Sequence, residues 1–382
     1  MDFKLSEEQL ELKELTHQFA ANEIRPVAAE YDEKNEFPVE VMNKAAKIGF
    51  LTSGIPLEYG GTGFSTMDNV IVCEELAWGC AGMYTSIMAN TLATTPIVLF
   101  GTDEQKKEFL TPLTLETKFA CFGLTEREAG SDNAAMKTTA VKDGDFYILN
   151  GSKTFITNAG VSSLGVIFAS TDKTRGARGL SAFIIPMDLP GISVGKHENK
   201  MGHRASNTAE IYLDEVKVPA KNLLRREGFG FIIALKTLDY ARPAVGAGGL
   251  GVARAAYEEA LKYSQGRVQF GKPIAHFQHN AFKLADMATD IDAARLLVYR
   301  SAWMLDNNLK ASKESAMAKI VATDVAMRVS IDAVQLFGGY GYMKEYPVEK
   351  MMRDAKLLQI YEGTNEIQRH VISLEILGSL KL

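Results

Sequence analysis

One acid near the carboxyl end stands in an unusual setting. In "LLQIYEGTNEIQRH", residues 357 to 370, an apolar run closes on Tyr361, a single Glu362 follows, and then come Gly363 and a helix-start signal. A carboxylate there is either a helix-terminus acid facing water or a base in a dry pocket. In the second case desolvation raises its pKa toward the range useful for proton abstraction. A second stretch, "CFGLTEREAGSDNAAMKT" at 121 to 138, offers backbone N–H groups and hydroxyls at Leu124, Thr125, Gly130 and Ser131. Such a turn suits an electron-rich ring edge or a phosphate, and equally suits no ligand at all. A third, "GSKTFITNAG" at 151 to 160, predicts Phe155 and Thr157 on one face of a strand. An aromatic and a hydroxyl so placed line a flat ligand, or belong to ordinary core and turn.

Gly246, Gly248 and Gly251 satisfy G-x-G-x-x-G in "VGAGGLGVARAAY". A dinucleotide fingerprint needs a strand in front of it. The text upstream, "FIIALKTLDYARPAV", reads as helix with Pro243 near a turn. Small residues within a helical stretch instead permit close approach of another helix or of a flat ligand.

These groups need elements to hold them. Residues 1 to about 118 read as helical: Ser6 with Gln9 and Thr102 with Gln105 form capping boxes, and "VEVMNKAAKIGF" carries Gly49 as a helix stop. From 119 to 225 short β-rich runs alternate with Gly, Asp, Asn and Pro, and "KDGD" at 142 to 145 signals a hairpin. No helix-length segments separate these runs, which favours an antiparallel sheet or barrel. From 226 to 382 the helical period returns. Leu284, Met287, Ile291, Ala294 and Val298 form an apolar stripe, and Asp324, Arg328 and Asp332 form a polar row, both read as bundle packing. The fold class expected is therefore α+β in three parts, 1–118, 119–225 and 226–382.

Composition narrows the function. The length of 382 residues suits two or three domains, and a net charge of −5 provides no basic field for nucleic acid. The acidic start "MDFKLSEEQLELKEL" lacks the basic-then-apolar order of a signal peptide. Residues 76 to 102 carry no charge, but Gly79, Gly82, Asn90, Pro96 and several Ser and Thr make the window too polar to span lipid. Cys73, Cys80 and Cys121 have no metal spacing and their odd number argues against a disulfide framework. No metal is expected.

The motifs "LTEREAGSD", "NGSKTFITNAG", "MGHRASNTAEIYLDEVKVP", "RVQFGKPIAHFQ", "QLFGGYGYMKEYPVEKMMRD" and "IYEGTNEIQR" occur in one order, end to end. In that order and spacing the chain resembles the acyl-CoA dehydrogenases, FAD enzymes of fatty-acid and amino-acid breakdown. The resemblance implies a helical domain, a middle antiparallel β domain and a C-terminal four-helix bundle. It implies that Glu362 removes the α-proton of an acyl-CoA while hydride leaves the β-carbon for the flavin. Relatives that carry the base on a helix do so just before an arginine. This chain has Ala241 there, before Arg242, so Glu362 has no rival.

The remaining roles are also implied by the resemblance. Leu124 and Thr125 contact the flavin pyrimidine, Ser131 the phosphate or the substrate, Phe155 stacks near the ring, and Thr157 bonds near its reactive nitrogen. Arg267, Phe270 and Gln278 of a neighbouring subunit hold the ADP half with Gln335, Gly338 and Gly339, and Thr364 and Glu366 complete the FAD set. Asp239 and Arg242 meet the CoA arm, Tyr361 and Gly363 flank the base at the substrate, and Tyr84 and Met88 lie at the far end of the acyl pocket. FAD held across a subunit boundary implies a homotetramer, a dimer of dimers, with electron-transferring flavoprotein as redox partner.

Apolar Ile360 and Tyr361 should raise the Glu362 pKa and the following helix start should lower it, with desolvation winning in the substrate complex. Relatives commonly carry Pro after "TE", whereas this chain has Arg127, expected to face solvent paired with Glu128. No Lys or Arg occurs from 76 to 102, so a distal carboxylate would be buried unpaired and a neutral acyl chain is favoured. Bulky Tyr84 and Met88 point to short or medium length, while small Ala241 leaves branched or cyclic groups open. The alternatives are a reductase running the same chemistry backwards and a family scaffold without activity. An oxidase is disfavoured by the chain's length. The expected setting is the bacterial cytoplasm.

Overall fold

The computed structural model describes residues 4–378, so the first three residues of the acidic start and the last four of the chain lie outside it. The first third is helical: α1 (Glu7–Phe19), α2 (Ala28–Lys34), α3 (Val39–Ile48), α4 (Thr66–Gly79), α5 (Ala81–Phe100), α6 (Asp103–Phe109) and α7 (Thr111–Leu115). Both predicted capping boxes form, at Ser6 with Gln9 and at Thr102 with Gln105, and Ser65 with Asp68 adds a third. Gly49 ends α3 with φ +95°, a backbone that favours glycine. The uncharged window is α5 together with the end of α4, and most of it is buried against protein. Among the described residues no helix is long and apolar enough to cross a membrane.

The middle third is a seven-stranded sheet: β1 (Phe119–Gly123), β2 (Thr139–Asp143), β3 (Phe146–Thr157), β4 (Ser162–Ser170), β5 (Leu180–Pro186), β6 (Ile192–Val194) and β7 (Thr208–Pro219). The strand order is β1-β4-β2-β3-β7-β6, with β5 on β4. The predicted hairpin closes where Asp143 pairs with Phe146 and Gly144 takes φ +56°. The sheet departs from a purely antiparallel arrangement at β1, which runs parallel to β4, and at a single parallel bridge from β2 to β4. β2 and β3 lie between β1 and β4 in sequence, so no tight turn joins the two strands and no hairpin imposes an antiparallel direction on them.

The last third holds α8 (Gly230–Gly266), α9 (Gln278–Asp306), α10 (Ser312–Phe337), α11 (Val348–Leu358) and α12 (Asn365–Leu377). Between α8 and α9 it also holds a small hairpin, β8 (Val268–Gln269) and β9 (Lys272–Pro273), that helical periodicity does not announce. The predicted stripe on α9 is buried at all five positions. Helices from the two ends of the chain share one core that includes Leu76, Tyr84, Leu250, Ile291, Val329 and Leu358.

Pro243 does not lie near a turn; α8 runs unbroken through it. The glycine run is a packing surface, as its helical context predicts. A Cβ at Gly248 would strike the Tyr84 ring at 2.6 Å, one at Gly249 the Ala322 carbonyl at 2.9 Å, and one at Gly251 the Glu74 carbonyl at 2.2 Å. Backbone cannot yield as a flexible side chain can. Gly251→Ala should therefore lower stability by about 2–3 kcal/mol, read as the midpoint shift in denaturant unfolding.

Candidate active site

The turn between α11 and α12 carries Glu362. Glu362 and Gly363 have φ of +52° and +95°, so two consecutive left-handed residues reverse the chain and turn the Glu362 side chain inward. Thr364 then caps α12, its hydroxyl accepting from the Ile367 N–H at 3.3 Å. The residue as a whole is partly accessible, but Oε2 is sealed from solvent and has no hydrogen-bond partner. Burial pushes the Glu362 carboxyl up to about 7, against the pull of Lys319 and Arg242. Desolvation thus wins before any substrate arrives. The opposing groups are these two cations rather than the helix start, whose capped N–H is already engaged.

Both cations come from the bundle. Arg242 on α8 is buried and donates from Nη1 to Asp239 Oδ1 at 2.5 Å, and the Ser312 hydroxyl donates to the other Asp239 oxygen at 2.6 Å. The Arg242 Nε has no partner. Lys319 on α10 is 0% exposed and donates to the Gly363 carbonyl at 2.9 Å and to Asn365 Oδ1 at 2.8 Å. Burial pulls its amine down to about 7, with Glu362 and Asp324 opposing. Arg242 on α8 and Lys319 on α10 thus lie at the same site as Glu362.

The side chains that act on Glu362 from the other elements are aromatic or otherwise neutral. Tyr84 on α5 donates from its hydroxyl to the Ala244 carbonyl at 2.7 Å, and Met88, one turn on, is buried in the same core. Burial raises the phenols of Tyr84 and Tyr361 and the thiol of Cys73, keeping them protonated. The His203 ring meets Tyr361 edge-on, with centroids 5.9 Å apart. Its Nε2 lies 3.0 Å from the Asp354 carbonyl, which can only accept, so Nε2 carries the proton and Nδ1 accepts from the Thr85 hydroxyl at 3.0 Å. Burial lowers the His203 pKa, in keeping with a neutral ring.

The sheet supplies a second group. Leu124 is buried just after β1, and the Thr125 carbonyl accepts from the Thr154 N–H at 3.0 Å. Ser131 is exposed on the loop beyond. Phe155 has φ +59° and lies in an irregularity of the β3–β7 ladder, so simple strand alternation does not relate it to Thr157. The bulge instead leaves the Phe155 ring 70% exposed while Ile156 is buried. Asn158, next to Thr157, donates to the Ser86 carbonyl at 2.9 Å, which ties this strand end to the helix of Tyr84 and Met88.

The pairing expected for Arg127 differs. Arg127 is exposed, but Glu128 pairs with Lys137 instead. The loop is anchored by Glu126, whose carboxylate accepts from Lys153 Nζ at 2.7 Å, the Thr138 N–H at 3.0 Å and the Lys137 N–H at 2.5 Å. Lys153 is fully buried and burial pulls it down to about 8.

A third group lies at one end of the bundle. Phe270, at the tip of the β8–β9 hairpin, is 95% exposed with φ +52°, and Gln278 is exposed at the start of α9. The Arg267 guanidinium lies 5.6 Å from the centre of the Tyr340 ring, which joins the hairpin to the end of α10 where Gln335, Gly338 and Gly339 are exposed. A Cβ at either glycine would meet nothing within 4 Å. Glu366 is exposed in the first turn of α12. Among the described residues no hydrogen bond or ring contact joins Arg267, Phe270 or Gln278 to Thr125 or Thr157. Bare aromatic faces, open glycines and an arginine fit a long ligand with a flat ring at one end and phosphates along its length, so these residues suit FAD.

Sequence reasoning missed Lys319, His203 and the Lys153–Glu126 pair. Lys319 had a signal, a lone cation among small apolar residues in "AMAKIVATDVAM". His203 and Lys153 had none, because their partners lie far away in sequence.

The chain matches the acyl-CoA dehydrogenase N-terminal domain over residues 6–116, the middle domain over 121–216 and the C-terminal domain over 228–377. It is 47% identical to the short-chain specific acyl-CoA dehydrogenase of Clostridium acetobutylicum, over 98% of this chain and 100% of that one. It is 46% identical to a subunit of the caffeyl-CoA reductase–Etf complex of Acetobacterium woodii, over 96% of this chain and 98% of that one. The solved structure of butyryl-CoA dehydrogenase from Megasphaera elsdenii superposes with a TM-score of 0.96 at 45% identity, covering 99% of this chain and 100% of that one.

Proposed function

The chain belongs to the acyl-CoA dehydrogenase family, and from that premise we propose that it converts a neutral short- to medium-chain acyl-CoA to the 2-enoyl-CoA, with FAD as cofactor and Glu362 as base. The observation that carries this reading is the Glu362 carboxyl, whose Oε2 is sealed from solvent and unpartnered and whose pKa is pushed up to about 7. FAD, when bound, supplies the acceptor for the hydride that leaves the β-carbon. The chain supplies the rest. Glu362 takes the α-proton from the substrate, a task matched to a base whose pKa lies near working pH. Tyr361, Tyr84 and Cys73 lie near enough to act on the carboxyl and stay neutral, so they do not compete with it for the proton.

Leu124, Thr125, Ser131, Phe155 and Thr157 are proposed to hold the flavin end of the cofactor. Gln335, Gly338, Gly339, Thr364 and Glu366, with Arg267, Phe270 and Gln278 of a neighbouring copy, are proposed to hold the remainder. Phe270 bare at a hairpin tip supports a subunit boundary there, and with it a homotetramer built as a dimer of dimers. Asp239, Arg242 and Gly363 are proposed as substrate contacts. The absence of Lys and Arg from 76 to 102 supports a neutral acyl group, and Tyr84 and Met88, both buried and bulky, support a short one. The resemblance to a caffeyl-CoA reductase–Etf subunit supports electron-transferring flavoprotein as partner, and it keeps the enoyl-reducing direction as a second reading that the same residues serve. The bacterial relatives support a cytoplasmic setting.

The test is anaerobic titration of the purified flavoprotein with straight-chain esters from butyryl- to lauroyl-CoA, and with isovaleryl-, cyclohexanecarbonyl- and glutaryl-CoA, followed by flavin bleaching. A short or medium neutral ester should bleach the flavin, and glutaryl-CoA should not. Bleaching by glutaryl-CoA would contradict the neutral pocket. No bleaching by any ester would favour an inactive scaffold.

A further inference from the structure

The turn that bears Glu362 does not hold itself. Its two left-handed residues are held mainly through the Gly363 carbonyl, which accepts from Lys319 Nζ at 2.9 Å and from Gln368 Nε2 at 2.9 Å, while the Glu362 carbonyl accepts from Gln368 Nε2 at 3.5 Å and the Asn365 N–H bonds back to the Gln359 carbonyl at 3.0 Å. Lys319 also reaches Asn365 Oδ1, and the Asn365 amide is fixed in turn by the Thr323 hydroxyl at 3.0 Å and Asp324 Oδ1 at 2.8 Å. A wholly buried amine thus spends two donors on neutral oxygens around a carboxyl-bearing turn.

The titratable groups that act on Glu362 are Lys319 from α10, Arg242 from α8, Tyr84 from α5, Cys73 from α4, and Tyr361 beside it; Asp239 pairs with Arg242, and Asp324 and Glu366 act on Lys319. Two are cations. Arg242 is paired with Asp239 at 2.5 Å, so much of its field is cancelled. Lys319 contacts carbonyl oxygens and reaches Asp324 only through Asn365.

We propose that Lys319 is a positioning residue for the base: it clamps the Glu362–Gly363 turn through the Gly363 carbonyl and supplies the buried positive charge that lets the largely desolvated carboxyl ionise. The proposal rests on the reading of Glu362 as base. Burial favours the neutral carboxyl, and Lys319 is the larger of the two opposing influences. Its removal therefore raises the Glu362 pKa further, and the acid limb of kcat/KM moves to higher pH. A purely structural role lowers the rate without moving the limb.

The experiment compares wild-type, Lys319→Met, Lys319→Gln and Glu362→Gln holoenzymes by flavin content, thermal midpoint, and kcat and kcat/KM across pH. Both Lys319 variants lose the charge, so both should shift the acid limb upward by about one pH unit. Lys319→Gln keeps a donor toward Gly363 and should lose about tenfold in kcat, whereas Lys319→Met should lose about a hundredfold, with flavin content unchanged. An unmoved limb in folded variants, with Glu362→Gln inactive, overturns the proposal and leaves the base in place. Wild-type turnover in Glu362→Gln overturns the reading of the base itself. Loss of flavin and fold in both Lys319 variants would make Lys319 a folding residue and would also overturn the proposal.

Discussion

Glu362→Gln should retain its flavin and still bind acyl-CoA, but turn over about 10³- to 10⁴-fold more slowly than the wild type. The substitution keeps shape and removes only the ability to take a proton. Oε2 has no protein partner, so an amide there breaks no existing hydrogen bond. Stability gives a second readout of opposite sign. A carboxyl whose folded pKa, about 7, lies above its ordinary 4.5 is one that the folded protein prefers neutral. Its ionisation therefore destabilises the wild type progressively as pH rises from about 4.5 to about 7, and fully above that. The Gln variant escapes this cost, so it should melt higher than wild type at pH 8 and alike at pH 4.5. A variant that is inactive because it is misfolded would melt lower at both.

Lys153→Met should lower the stability of the protein by about 3 kcal/mol and release flavin more readily. Lys153 is the cation of a buried pair, and its loss leaves the Glu126 carboxylate with two backbone N–H donors but no counter-charge. Glu126 in turn holds the loop between Leu124 and Ser131, the segment proposed to meet the flavin. Denaturant unfolding gives the first quantity and flavin fluorescence on dilution the second. Lys137→Met is the control: its pair with Glu128 is exposed, and its loss should leave the unfolding midpoint unchanged. Equal effects from the two substitutions would mean that burial at Lys153 does not govern this loop.

Much of this architecture is legible from local pattern alone. Capping at Ser6 and Thr102, the stop at Gly49, the "KDGD" hairpin and the stripe on α9 are each decided within a few residues, and each forms. Glu362 stood out as an acid between an apolar run and a glycine, but that setting alone left a water-facing acid open, and it was the resemblance to the family that singled it out as the base. The parallel joint of β1 to β4 was not visible, because register across forty residues leaves no local trace. Pro243 misled for the converse reason: its helix-breaking tendency is local, whereas the packing of α8 against α4 and α10 is not, and the packing prevails. Phe155 shows the limit of strand periodicity, since one bulge re-aims a side chain that alternation had already placed. The partners of Lys153 and His203 lie 27 and 151 residues away, so neither residue advertises its role.

The most direct test of the account is the pH dependence of the rate at which butyryl-CoA bleaches the wild-type flavin under anaerobic conditions, read as kcat/KM from pH 5 to 9. Proton abstraction needs the carboxylate, so the rate should be low in acid, rise with a single midpoint near about 7, and level off above it, with the rise absent in Glu362→Gln. A flat profile in the wild type, or a midpoint near 4.5, would mean that the buried carboxyl of Glu362 does not carry the proton, and the central assignment would fall.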